Sequence, residues 1–309
     1  MAGRGRGRRV AGPCLSLLPL SFDPADPVLR LFPLSDLHLE RRRPEMIPPP
    51  SSPFDVLVCA GDLHEGQPEA GLATVRALAG GRPVVLVPGN HEHYAPTGDG
   101  RSAPELLAAL EREVARLNGL GARIHLLQGG QAVVIGGVRF VGTTLWSDWS
   151  LAGRWLTEDT PDRPDDPVAF AAARMTDPVT GSREYRGSIR RADGAPWSPA
   201  DAMEAHAREK AALLEALARP HEGPTVAVTH HPASPRAADA FRNAPGVPWW
   251  VPAFYATTVL DDLPDADRPD LWISGHFHAG HDMRIGRTRW LANPVEGKTF
   301  RSDLIVEVG

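Results

Sequence analysis

Residues 84–96 read "VVLVPGNHEHYAP". Four apolar β-formers, Val84, Val85, Leu86 and Val87, stop at Pro88-Gly89 and deliver Asn90, His91, Glu92 and His93 in a row. An unbroken apolar run of this length predicts an interior strand of a layered α/β sheet, buried on both faces. Four polar side chains directly behind it are costly to place unless something uses them. The same grammar recurs along the chain. Apolar runs at 28–34 ("VLRLFPL"), 55–60 ("DVLVCA"), 225–229 ("TVAVT") and 271–274 ("LWIS") lead into "SDLHLE", "GDLHEG", "HHPASP" and "GHFHAG". Ligand sites in α/β sheets lie beyond strand C-termini. Five such endings converge on one rim if the strands are neighbours.

Helices fill the spaces between. "SAPELLAALEREVARLNG" opens with Ser102 as N-cap, Pro104 in the first turn and Glu105 at the capping-box position. Leu106, Leu107, Leu110, Val114 and Leu117 form its apolar stripe, and Gly119 ends it. "SPADAMEAHAREKAALLEALA" repeats the pattern with Ser198, Pro199 and Asp201. A further helix is predicted over 68–79, stopped by Gly80-Gly81. The tracts 123–127, 131–146, 281–294 and 303–309 predict antiparallel hairpins, with turns at Gly136-Gly137 and Gly286-Arg287. Residues 148–197, crowded with proline, glycine and charge, read either as a solvated surface insertion or as a lid.

With 309 residues, 42% of them hydrophobic, the chain can bury a sizeable core. Its net charge of −5 gives no basic field that would argue for nucleic acid. Two cysteines, Cys14 and Cys59, against twelve histidines direct any metal site toward nitrogen and oxygen ligands. No apolar run is long enough for a membrane span. The basic start with Arg8-Arg9 invites an export reading, but Pro13 and Pro19 interrupt the apolar stretch that follows. Residues 1–27 are therefore read as a disordered leader, 28–309 as one domain, and the location as cytoplasmic.

Taken singly, each polar ending has a bland explanation in a turn or a solvated strand. Together they supply Asp36, His38, Asp62, Asn90, His230, His276 and His278, more donors than one tetrahedral ion uses. The ordered series D-x-H, GD, GNH, a strand-terminal His and GHxH resembles the calcineurin-like metallophosphoesterase family over roughly residues 28–309. "SDLHLE", "AGDLHEG", "VTHHPASPR" and "WISGHFHAGHDMRIGRTRWLANP" look like a bacterial branch of it. The resemblance implies an α/β fold, a four-layer αββα sandwich of two mixed β-sheets flanked by helices. It implies a dinuclear centre in which Asp36, His38 and His278 hold one ion, Asn90, His230 and His276 the other, and Asp62 bridges with one oxygen on each. The ions would be divalent or mixed-valence, with manganese or iron favoured over zinc, cobalt and nickel. His91 would face the substrate and assist the leaving group.

Around these residues, Glu92 is read as orienting His91 or capping the turn. His93 and His206 are read as structural, and His231 as a packing or supporting residue. His64 is read as either reaching the substrate or closing a turn. The aromatics Trp146, Trp149, Trp155, Trp249, Trp250, Phe254 and Tyr255 are assigned to packing rather than to a base. The family's protein-phosphatase branch carries Val-Asp-Arg-Gly after its Gly-Asp; "GDLHEGQPEAG" does not. Without that arginine to clamp a dianion, a small phosphodiester is favoured over a phosphomonoester. A non-catalytic scaffold and a mononuclear hydrolase of another bond are the other classes.

Overall fold

The computed structural model describes residues 28–160, 163–239, 241–242 and 244–309, and the expected leader lies outside them. In chain order the strands are β1 (Leu29–Leu34), β2 (Val56–Cys59), β3 (Val84–Leu86), β4 (Ile124–Leu126), β5 (Gln131–Ile135), β6 (Val138–Thr143), β7 (Thr225–Thr229), β8 (Leu271–Ile273), β9 (His281–Ile285), β10 (Thr288–Ala292) and β11 (Val306–Val308). The longer helices are α1 (Pro68–Ala79), α2 (Ala103–Gly119), α3 (Pro167–Thr176) and α4 (Pro199–Ala218). One sheet has the order β11-β1-β2-β3-β4 and the other β5-β6-β7-β8-β10-β9. Strands β1 to β4 are parallel, as are β6, β7, β8 and β10. Antiparallel strands close three of the edges: β11 on β1, β5 on β6 and β9 on β10. Both sheets are mixed.

Two of the four predicted hairpin tracts pair otherwise. β4 lies parallel to β3, with Val84 opposite Ile124, because α2 carries the chain back before β4 begins, and such a crossover returns a strand parallel. β11 pairs with β1 at the far end of the chain, Leu29 opposite Val308. Both pairings join segments with no turn between them, so no local signal marks them. The tracts over β5–β6 and β9–β10 are hairpins.

Alternating side chains make each sheet apolar on both faces. Phe32, Leu34, Leu57 and Cys59 pack outward under Leu72 and Val75 of α1 and Leu110 and Leu117 of α2. Leu31, Val56, Val58 and Val85 turn inward against Phe140, Val226, Val228 and Ile273 of the second sheet. That sheet's outer face carries Val141, Ala227, Trp272 and Trp290 against Leu213, Ala216 and Leu217 of α4. Helix, sheet, sheet, helix is the four-layer αββα order. The helix ends follow their signals. Ser198 Oγ accepts from the Asp201 N–H at 3.2 Å while Asp201 accepts from the Ser198 N–H at 2.9 Å. Helix α1 stops at Gly80 with φ 57°.

The segment 148–197 is built into the molecule. Its Trp149, Ala171, Met175, Tyr185 and Ile189 are buried with Tyr94, Trp146, Ala205 and Phe254 in a core cluster of their own. The reading as a solvated insertion does not hold: the proline- and charge-rich composition hid the widely spaced apolar residues that anchor it. Among the described residues no helix is long and apolar enough to cross a membrane.

Candidate metal centre

Parallel strands in both sheets bring their C-terminal ends to one rim, and the polar loops follow there. The loop after β1 carries Asp36 and His38; its backbone N–H groups donate to Gly61 O and Asp62 O of the loop after β2. The loop after β2 interlocks with the one after β3 at Gly61 and Gly89. A Cβ on Gly61 would lie 2.5 Å from Gly89 N, and one on Gly89 would run into Asp62 Oδ1. Buried Glu92 staples the same two loops, accepting from the N–H groups of Asp62 (2.9 Å), Leu63 (2.6 Å) and Gly89 (2.5 Å). It thus spans two loops through their backbones.

The second sheet reaches across. The His276 N–H donates to Asp36 Oδ1 at 2.9 Å, and His230 Nδ1 donates to Ala60 O at 2.7 Å. Five site residues, Asp36, His38, Asp62, His276 and His278, have φ between 45° and 67°. Non-glycine residues are uncommon in this left-handed region, where Asp, Asn and His are the better tolerated types. Strain is concentrated at the rim.

The structure gathers the seven sequence-predicted donors into two nests. Asp36, His38, Asp62 and His278 offer ligand atoms within 4.8 Å of one another, and so do Asp62, His230 and His276. Asn90 Oδ1 joins the second nest, 2.9 Å from His230 Nε2. Asp62 stands between them. Its Oδ1 accepts from the His91 N–H at 2.9 Å, while Oδ2 lies 3.5 Å from His38 Nε2 and 3.3 Å from His230 Nε2. Oδ2 thus faces both nests, while the His91 N–H holds Oδ1.

The donor chemistry fits metal ions. His38 Nδ1 is 3.0 Å from Glu40 Oε1 and His230 Nδ1 donates to a carbonyl, so that each ring turns Nε2 toward the other donors, the orientation a metal ligand needs. His38 Nε2 lies 3.0 Å from His278 Nε2, which in turn is 3.4 Å from Asp36 Oδ1. Ligand atoms that share a cation at about 2.1 Å are roughly 3.0–3.4 Å apart, the spacing found here. Buried Asp62 Oδ2 and His276 Nε2 have no hydrogen-bond partner among the described residues. Burial pushes the Asp62 carboxyl up, but the imidazoles of His230, His91 and His38 hold it well below its ordinary value. His230 loses to burial and gains more from Asp62, ending at about 9. His276, buried beside His231 and His230, is held well below the ordinary imidazole value.

A pocket of about 270 Å³ opens over the nests, lined by Arg41, Asp62, Asn90, His91, Tyr94, Ser182, Arg183, Phe254, Tyr255, His276 and His278. The His91 ring stacks on Tyr94 at 4.5 Å. Its Nδ1 lies 3.2 Å from Glu40 and 3.1 Å from Glu65. Burial lowers the His91 pKa, and Asp62, Glu40 and Glu65 more than offset this, raising it well above the ordinary value. His231 is buried against the His276 ring at 4.0 Å. His64 is not at the pocket: its Nδ1 donates to Glu65 O at 2.8 Å, and it lines a separate crevice with Leu106 and Leu110. Of the aromatics, Trp146, Trp149 and Trp155 are core residues, whereas Phe254 and Tyr255 wall the pocket.

Sequence reasoning missed Glu40, Glu65, Arg41, Tyr94, Arg183 and Glu184. Glu40 stands two residues past His38 in the loop after β1, and that nearness was its local signal. Arg41 and Arg183 supply cationic groups to the pocket that the "GDLHEG" loop lacks. Both are engaged: Arg183 donates to both oxygens of Glu65 at 3.2 Å, and Arg41 lies 3.5 Å from Glu296 and 3.6 Å from Glu40.

Residues 29–188, more than half of the chain, match the model of the family described as calcineurin-like phosphoesterase. The chain belongs to the calcineurin-like phosphoesterases. It is a metal-dependent hydrolase of phosphoester bonds, with a His/Asp cluster able to bind metal at the centre just described. This phosphoesterase is similar in fold to a solved phosphopantetheinyl hydrolase from Mycobacterium tuberculosis, 24% identical, with 86% of this chain and 89% of that one covered and a TM-score of 0.56. A sulfate thiohydrolase from Thermus thermophilus, in complex with glycerol, is 14% identical over 78% of this chain and 34% of that one, with a TM-score of 0.31, too distant to carry an argument. Among curated proteins no relative matches the phosphoesterase.

Proposed function

We propose that the chain hydrolyses a small phosphodiester in the pocket over a dinuclear centre. The observation that carries this reading is Asp62 Oδ2, buried without a hydrogen-bond partner among the described residues and lying between the two nests of candidate ligand atoms. Asp36, His38 and His278 would hold one cation and Asn90, His230 and His276 the other, with Asp62 shared. Two divalent ions, manganese or iron favoured, supply Lewis acidity toward phosphoryl oxygens and lower the pKa of an attacking water when bound. The chain's own residues do the rest. Glu40 and Glu65 lie 3.2 and 3.1 Å from His91 Nδ1, and His91 Nε2 would deliver a proton to the departing ester oxygen. Tyr94 fixes the plane of that ring by stacking. Phe254 and Tyr255 give the substrate's organic part an apolar wall.

The diester reading rests on charge. Arg41 and Arg183 face the pocket already paired with carboxylates, so little cationic charge is free for the second negative charge of a monoester. The same two arginines favour a second reading, a phosphomonoesterase in which they exchange their carboxylates for phosphate. Manganese-loaded protein assayed on a chromogenic diester and the matching monoester separates the two, with the diester expected to give the higher kcat/KM. Asp62→Asn is expected to abolish turnover of either. Turnover that survives exhaustive chelation would overturn the metal mechanism.

A further inference from the structure

The turn over 182–187, within the segment inserted at 148–197, touches both halves of the site. Arg183 grips Glu65, which faces His91, while its neighbour Glu184 reaches the second nest. Glu184 is fully buried and accepts from Asn90 Nδ2 and from the Tyr94 hydroxyl, each at 3.1 Å. Asn90 Nδ2 also donates to the Tyr94 oxygen at 3.2 Å. Both hydrogens of the amide are therefore used, and Oδ1 is left facing His230 Nε2 at 2.9 Å. An amide rotated by half a turn would set its oxygen against the Glu184 carboxylate and its NH₂ where a ligand lone pair is needed. The turn has little freedom to release this grip. Ala95 N–H donates to Ser188 O at 2.8 Å, Ser188 N–H to Arg183 O at 3.1 Å, and the Tyr185 ring packs on Trp149 and Phe254.

We propose that Glu184, with Tyr94, is a positioning residue that locks the Asn90 amide with its oxygen toward the second cation position, so that the inserted segment completes that half of the centre. This rests on the dinuclear reading above. Partners that orient a metal ligand are typically worth 10–100-fold in metal affinity. Calorimetric titration of manganese into the metal-free full chain tests the idea. The wild type is expected to show two sites. Glu184→Leu should weaken one of them about 10–100-fold and leave the other unchanged, and Glu184→Gln, which keeps a carbonyl acceptor, should recover most of the loss. Both sites unchanged in Glu184→Leu would overturn the proposal. Both weakened alike would also overturn it, since that is what general loosening of the fold produces. If Glu184→Leu does not fold, Tyr94→Phe replaces it. The ring stays stacked on His91 while the hydroxyl between Asn90 and Glu184 is lost, so the same single site should weaken, and unchanged binding counts against the proposal. A wild type that takes up fewer than two ions overturns the dinuclear reading itself, and this inference with it.

Discussion

Asn90 and His91 are adjacent in the chain and turn in different directions. Asn90 aims its amide oxygen at His230, whereas His91 turns its ring to the pocket and stacks on Tyr94. With the proposed dinuclear centre, Asn90→Ala should therefore lose one of two bound ions. His91→Ala should keep both and lose about 10²–10⁴ in kcat. Elemental analysis beside steady-state kinetics reads the split, and metal lost from the His91 variant would refute it. The candidate donors stood out in the sequence because they lie in short polar loops behind the five apolar strands β1, β2, β3, β7 and β8. What they touch was not. Glu65 reaches His91 and Glu184 reaches Asn90 across long stretches of chain, and no spacing rule encodes such contacts. Nor does sequence show which oxygen of Asp62 the His91 backbone claims, or that His64 turns away to Glu65 O. The left-handed φ values at Asp36, His38, Asp62, His276 and His278 were hidden too, since Asp and His permit that conformation without announcing it.

Among elements, the loops after β2 and β3 behave as one unit. Gly61 sits against Gly89, and Glu92 accepts backbone N–H groups from both loops. Gly89→Ala forces a methyl group onto the Asp62 carboxylate, so either the loops separate or Asp62 moves. Overpacking of this kind costs about 1–3 kcal/mol, a fall of several degrees in Tm for a chain of this length. Thermal melts and activity should fall together; a melt and a rate both like those of wild type would show that the contact has room to give. Strands and capped helices were legible because apolar runs, Ser caps and glycine stops act within a few residues. The parallel placement of β4 and the pairing of β11 with β1 were not, because strand partners are chosen by crossover geometry and by what else the sheet must cover.

At the scale of the whole molecule, each nest draws on both sheets. Asp36 and His38 follow β1 and His278 follows β8; Asn90 follows β3, and His230 and His276 follow β7 and β8. Burying the faces of the four-layer fold needs no metal, and its layers were legible in the double-sided apolar strands. How closely the two rims approach was not, since it depends on His276 N–H reaching Asp36 and His230 reaching Ala60. With the proposed ligand set, cations at the centre act as rivets through two plates. Chelation should therefore loosen the plates along one shared border rather than soften the molecule evenly. Amide hydrogen exchange should rise together at the C-terminal ends of β1, β2, β7 and β8, while the β5–β6 hairpin at the far edge keeps its protection. Exchange that rises uniformly, or only in the loops of one sheet, would show that the two plates are not riveted there. Where such a border opens as a unit, losing the ions and losing mechanical integrity become the same event.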